Sequence, residues 1–166
     1  MNKIKVIATY LLFYFVFICG IFFTRLPVQN EVIATFIPDI ATILVFIFSS
    51  VKNKNILSYG NIFILGIIFD ILNLSTVGMT SICWMTGIKV ISKLSSYFFN
   101  NDNFFAYSRN FFIFIVIGQL LRVFLTYLLF AVVYNLFDIA LFVIVNTIWF
   151  VVIFLLSNKL KLNEVN

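Results

Sequence analysis

Between Asn110 and Tyr134 the chain reads NFFIFIVIGQLLRVFLTYLLFAVVY, and Arg122 is the only charge in that stretch. A helix crossing a hydrocarbon core about 30 Å thick needs roughly 20 mainly apolar residues. This stretch meets that need. Five further blocks of the same character lie on either side of it. Four precede it, at about Val6–Phe23, Val32–Ser50, Leu57–Leu72 and Met79–Tyr97, and one follows, at about Ile139–Ser157. The expected fold is all-α and integral to the membrane. Residues 1–166 form a single polytopic domain of six transmembrane helices in one bundle.

Composition supports this expectation. The chain is 63% hydrophobic and 10% charged. A soluble domain carries roughly 25% charged residues, so too little polar surface exists here to cover a water-soluble globule. The net charge of +5 does not point to nucleic acid, because the basic residues are spread between apolar blocks and form no stripe. The chain has no histidine, which removes Ser-His hydrolases and His-ligated metals. Cys19 and Cys83 both lie in apolar runs and read as small buried hydrophobes. No cofactor, metal or nucleotide motif is visible.

Orientation follows from the basic residues. With the N-terminus in the cytoplasm, the inner segments hold Lys3, Lys5, Lys52, Lys54, Lys89, Lys93, Arg109, Lys159 and Lys161. The outer segments hold only Arg25. Both termini are therefore expected inside. Lys3 and Lys5 precede an apolar run too long for a signal-peptide core, so that run is expected to be retained as the first helix.

A charge at the bilayer centre costs at least about 2.5–3.5 kcal/mol, so Asp39, Asp70 and Arg122 are the informative residues. Counting from the block ends at 1.5 Å per residue puts Asp70 roughly 20 Å and Arg122 roughly 18 Å from the inner face. Asp39 falls roughly 10 Å below the outer face. All three come to one level in the outer half of the membrane. Arg122 is expected to pair with Asp70, or alternatively with Asp39, because its planar fork matches a carboxylate. The pair either fixes helix packing or builds a polar site. Gln119 joins Gly118, Arg122 and Thr126 on one stripe of the fifth block. Asp39 and Thr42 share a stripe of the second block, and Thr80, Cys83 and Gly87 one of the fourth. Asn146 and Trp149 are expected to serve similarly on the sixth. Pro38 is expected either to start the regular second helix or to kink it. The connector Asn73–Gly78 is either a tight turn or a partly submerged loop.

The second and third blocks carry a resemblance. Phe36-Ile37-Pro38-Asp39 opens an apolar helix, Lys52-Asn53-Lys54 forms a basic inner loop, and Gly66, Asp70 and Gly78 follow. This Pro-Asp, then Gly-x-x-x-Asp with a glycine eight residues after the aspartate, resembles the rod shape-determining protein MreD family. The resemblance implies a non-enzymatic component of the bacterial cell-elongation machinery, multi-pass in the cell inner membrane. It implies binding to an MreC-like protein and, through it, coupling of MreB filaments to RodA and a class B penicillin-binding transpeptidase. It also implies a six-helix fold similar to the substrate-binding subunits of energy-coupling-factor transporters. Pro38, Asp39, Gly66, Asp70 and Gly78 are the motif positions, with structural or partner-contact roles. Membrane lipid is the other expected partner; nucleic acid and small-molecule substrates are not expected.

Three other function classes compete. A vitamin-binding transporter subunit would share the fold, but the Ala-x-x-x-Ala contact usual on its first helix is missing, since Leu12 stands four residues after Ala8. An intramembrane aspartyl peptidase could use Asp39 and Asp70 as a carboxylate pair sharing a proton. The paired Asn-x-x-Asp motifs of lipoprotein signal peptidases are absent, and Arg122 would hold both acids ionised. A channel or ion-coupled carrier would be expected to show an inverted repeat of broken helices, and none is visible.

Overall fold

The computed structural model describes residues 14–22, 37–50, 58–98 and 104–163, and all regular structure among them is α-helical. We label the helices α1 (residues 14–22), α2 (Ile40–Ser50), α3 (Tyr59–Leu72), α4 (Met79–Phe98), α5 (Phe104–Phe130) and α6 (Leu136–Asn163). Two of them contain stretches long and apolar enough to cross a membrane, Phe104–Phe130 and Leu136–Leu156. Regular helix in α2 and α3 is apolar but shorter.

The helix ends have local causes. α3 begins where the Ser58 hydroxyl accepts a hydrogen bond from the Asn61 N–H, satisfying one of the amides that a helix start leaves open. α5 was expected over Asn110–Tyr134 but runs from Phe104 to Phe130. It stops because Ala131 takes a left-handed φ of 54°. α6 starts earlier than Ile139, because the Asn135 side chain accepts from the Phe137 N–H and caps it. The largest difference is in α2. Ile37, Pro38 and Asp39 are not helical, and the regular helix begins at Ile40. Proline has no N–H to give and disfavours helical backbone in the residue before it. Residues 32–36, which the second block included, lie outside the described residues.

α4 packs against both α3 and α5, and α5 packs against α6. In one half of the bundle the core is aromatic. Phe111 of α5 stacks on Phe150 of α6 with centroids 4.2 Å apart, and Phe46 of α2 meets both rings edge-on at 5.2 and 5.5 Å. Such pairs are worth about 0.5–1.5 kcal/mol each beyond area burial. That matters in lipid, where apolar burial alone does not drive helices together. The outer shell is apolar as well: Phe105, Phe112, Leu120, Phe124 and Leu128 of α5 are exposed. Cys19 is exposed too, which corrects its reading as a buried residue; Cys83 is buried as expected. Cys19 lies between Ile18 and Phe22 on the exposed, apolar side of α1.

Lys89, Lys93 and Arg109 are exposed, toward the C-terminal end of α4 and the N-terminal end of α5. The side chains of the other basic residues used for orientation lie outside the described residues.

The tightest helix contact is between α3 and α4. A Cβ on Gly66 would stand 2.6 Å from the Ser81 Cα, and the Ser81 hydroxyl donates to the Phe63 carbonyl at 2.8 Å. Small residues allow this backbone approach. By contrast, a Cβ on Gly118 of α5 would meet nothing within 4 Å. Gly66→Ala is therefore expected to destabilise the purified protein by about 1–3 kcal/mol. Gly118→Ala should be neutral, or stabilising by up to about 1 kcal/mol through helix propensity. Thermal unfolding in detergent checks the order.

Candidate functional site

The polar residues gather where α2 and α4 begin. A helix start leaves its first amide N–H groups without partners inside the helix, and in a membrane no water is at hand to take them. Both starts are met by an aspartate.

Asp39 immediately precedes α2. Its Oδ1 accepts from the Thr42 N–H at 3.1 Å, and its Oδ2 accepts from the Thr42 hydroxyl at 2.6 Å. The Ile43 N–H donates to its carbonyl. Asp39 is thus the N-cap that Pro38 makes necessary. Its own N–H donates to Asn146 Oδ1 at 2.7 Å, while Asn146 Nδ2 donates to the Phe142 carbonyl. Asn146 lies ten residues into α6, so this bond fastens the start of α2 roughly 15 Å along that helix. The Trp84 indole N–H donates to Thr42 Oγ1 at 3.1 Å, which extends the chain of bonds to α4.

Asp70 sits near the end of α3, fully buried. It caps the helix that follows it. Its Oδ2 accepts from the Thr80 N–H at 3.1 Å, and its Oδ1 accepts from the Ser75 hydroxyl at 2.9 Å. Its carbonyl accepts from the Ser75 N–H. The connector from Asn73 to Gly78 is therefore a closed, hydrogen-bonded turn. Gly78 has a φ of +89°, which side-chain-bearing residues rarely adopt, and so delivers the chain into α4. The motif positions thus acquire physical reasons. Gly66 allows α3 and α4 to touch, Asp70 caps α4, Gly78 makes the turn, Pro38 interrupts the second apolar block, and Asp39 caps α2.

Arg122 is the remaining charge. Among the described residues no ion pair joins it to Asp70, whose two carboxylate oxygens are engaged as above. Arg122 and Asp39 instead line one cavity, and Arg122 is the cation acting electrostatically on Asp39. Thr42, Thr80, Cys83, Gly118 and Gln119 line it too, so the polar stripes of three helices meet there. This inner chamber measures about 30 Å³. A wider chamber of about 290 Å³ adjoins it, lined by Ile37, Asn73, Ser75 and Phe142, and sharing Asp39, Phe69 and Arg122. Trp149, expected beside Asn146 as a bundle-facing residue, is exposed instead.

Four participants were not singled out from sequence: Ser75, Ser81, Trp84 and the backbone N–H of Thr80. Ser75, five residues after Asp70 in a short connector, was the available signal for the first. The bond between Asp39 and Asn146 gives a direct check. Asn146→Leu is expected to leave the Asp39 N–H without a partner and to cost about 0.6–2 kcal/mol, the range for such bonds in membrane proteins. Asn146→Gln should recover part of the loss in thermal unfolding.

Two comparisons with known proteins, against curated sequences and against solved structures, return no significant match. A third, against family models, matches residues 4–160 to the model described as rod shape-determining protein MreD. That span takes in every residue of the two helix starts, the turn and the cavity. The match extends well beyond the motif stretch, and the chain belongs to the rod shape-determining protein MreD family.

Proposed function

We propose that this protein is a non-enzymatic scaffold of the cell-elongation machinery, multi-pass in the inner membrane with both termini in the cytoplasm. It receives the single membrane helix of an MreC-like partner. Through that partner it couples MreB filaments to peptidoglycan synthesis by RodA and a class B transpeptidase. The family match over residues 4–160 is the observation that carries this reading, since the family is one of shape-determining membrane proteins.

The geometry supports the same reading from the side of chemistry. An aspartyl peptidase needs two carboxylates sharing a proton. Here the carboxylate oxygens of Asp39 and Asp70 are each bound to separate hydroxyl and amide donors. Polar atoms committed to helix ends build a rigid body with an apolar exterior. That exterior, with Phe112, Leu120 and Phe124 exposed along α5, is the kind of surface that lipid or a partner helix covers. Within this reading Arg122 answers the charge of Asp39 across the cavity.

The test is a detergent pull-down of the tagged protein from its own host. An MreC-like single-span protein is the expected partner. The capping role adds a constraint: Asp70→Ala should reduce the amount of folded protein and partner together, whereas the ratio of partner to folded protein should hold. Recovery of a transporter ATPase module in place of an MreC-like protein would overturn the proposal.

A further inference from the structure

We propose that the turn joining α3 to α4 is a lipid-contact surface, sunk roughly 5–10 Å below the outer face of the bilayer, with Leu74 and Val77 against the acyl chains of the outer leaflet. The proposal deepens the multi-pass reading given above and rests on it.

Helix lengths are the first observation. A hydrocarbon core is about 30 Å thick. α3 has 14 residues, from Tyr59 to Leu72, and so rises only about 21 Å. Tyr59 is exposed at its inner end, where an amphipathic ring suits the headgroup level. α4 gives a second ruler. Lys89 and Lys93 are exposed on it, and the helix start at Met79 lies about 15 and 21 Å from them. A lysine stem stretches to the surface from a few ångströms within the core, but its charge stays in the interface. α5 gives a third. The Thr126 hydroxyl lies 3.6 Å from Met79 Sδ, and Thr126 is about 26 Å along the helix from the exposed Arg109. Tilt shortens each of these reaches, and a basic residue standing beyond the inner boundary lowers the turn further. All three rulers stop short of the outer face, whereas α5 itself continues to Phe130, about 32 Å from Arg109.

The chemistry of the turn is the second observation, and it is independent of length. Asn73–Gly78 carries no charge. Leu74 is 89% exposed and Val77 60%, with Thr76 the one exposed polar side chain between them. Asn73 and Ser75 line the wider chamber instead, with Asp39 and Arg122. The turn therefore has an apolar outer edge and a polar inner edge. Leu74 also holds a φ of 50°, a conformation usually taken by glycine or asparagine. An exposed leucine in that place is unfavourable in water and favourable among acyl chains.

Non-helical backbone is tolerated at depth only where protein or water covers it. The N–H groups of Asn73, Leu74, Ser75 and Met79 donate to carbonyls of the turn or of the end of α3. Along the inner edge, the chamber of about 290 Å³ has room for water. A bilayer also meets a short span by thinning locally, which draws headgroups toward the turn.

The test uses the purified full chain carrying Cys19→Ala and Cys83→Ala, in phosphatidylglycerol and phosphatidylcholine vesicles with no partner protein. Spin labels are placed at Leu74→Cys, Val77→Cys and Val133→Cys, all exposed positions where a label disturbs no packing. Paramagnetic resonance then reads their access to oxygen, which concentrates among acyl chains, and to a water-soluble nickel chelate. The expected oxygen-to-nickel ratio is several-fold higher at 74 and 77 than at 133. Equal ratios, with nickel preferred at all three, would overturn the proposal and leave a water-facing turn free for a protein partner. Shielding of 74 and 77 from both reagents would also overturn it, since a second copy of the chain would then cover them. A sidedness control separates this inference from the reading beneath it. In right-side-out membrane vesicles an impermeant maleimide should label Val133→Cys directly and Lys93→Cys only after permeabilisation. Loss of that sidedness would overturn both; kept sidedness with a water-facing turn would overturn the lipid contact alone.

Discussion

The first amide groups of a helix have no partner inside it, and at two helix starts of this protein they find partners in nearby side chains. Asp39 and Asp70 supply them. Other polar features follow from that requirement. Thr42 returns two hydrogen bonds to Asp39, and Trp84 holds Thr42 in turn. Asn146 takes the one amide that Asp39 cannot take itself. Ser75 fills the second oxygen of Asp70, and Gly78 turns the chain so that the Thr80 amide meets the first. The Gly66–Ser81 contact then brings α3 and α4 close enough for the turn to close.

This arrangement gives Pro38, Asp39, Gly66, Asp70 and Gly78 structural roles. Caps inside the bundle tie α2 to α6 and α3 to α4 by directional bonds, which packing of apolar side chains alone does not supply. Arg122, the remaining charge, faces Asp39 across the cavity that both line.

Much of the fold is legible in the sequence because long apolar runs mark the helices. Regular helix in α3 and α4 begins and ends within two residues of the apolar blocks, since Ser58 and Gly78 punctuate them in recognisable ways. α2 is the exception. Ile37 and Pro38 are as apolar as the helix they precede, so hydropathy passes over the break, and only the cap geometry at Asp39 reveals it. Asp39 and Arg122, two of the three charges placed at one level from residue counts, line the same cavity. Direction was not readable. Periodicity places Asp70 on a face, but its main partner is the backbone amide of Thr80, which no side-chain pattern announces. The left-handed Ala131 that ends α5 has no sequence signal either.

The central claim is that Asp70 serves the start of α4 and not the charge of Arg122. A double-mutant cycle of Asp70→Ala and Arg122→Gln, read by thermal unfolding in detergent, tests it most directly. Independent sites add to within about 0.3–0.5 kcal/mol, and that additivity is the predicted result, with Asp70→Ala the more costly change. A coupling of about 1 kcal/mol or more, with the second substitution nearly free once the first is made, would contradict it.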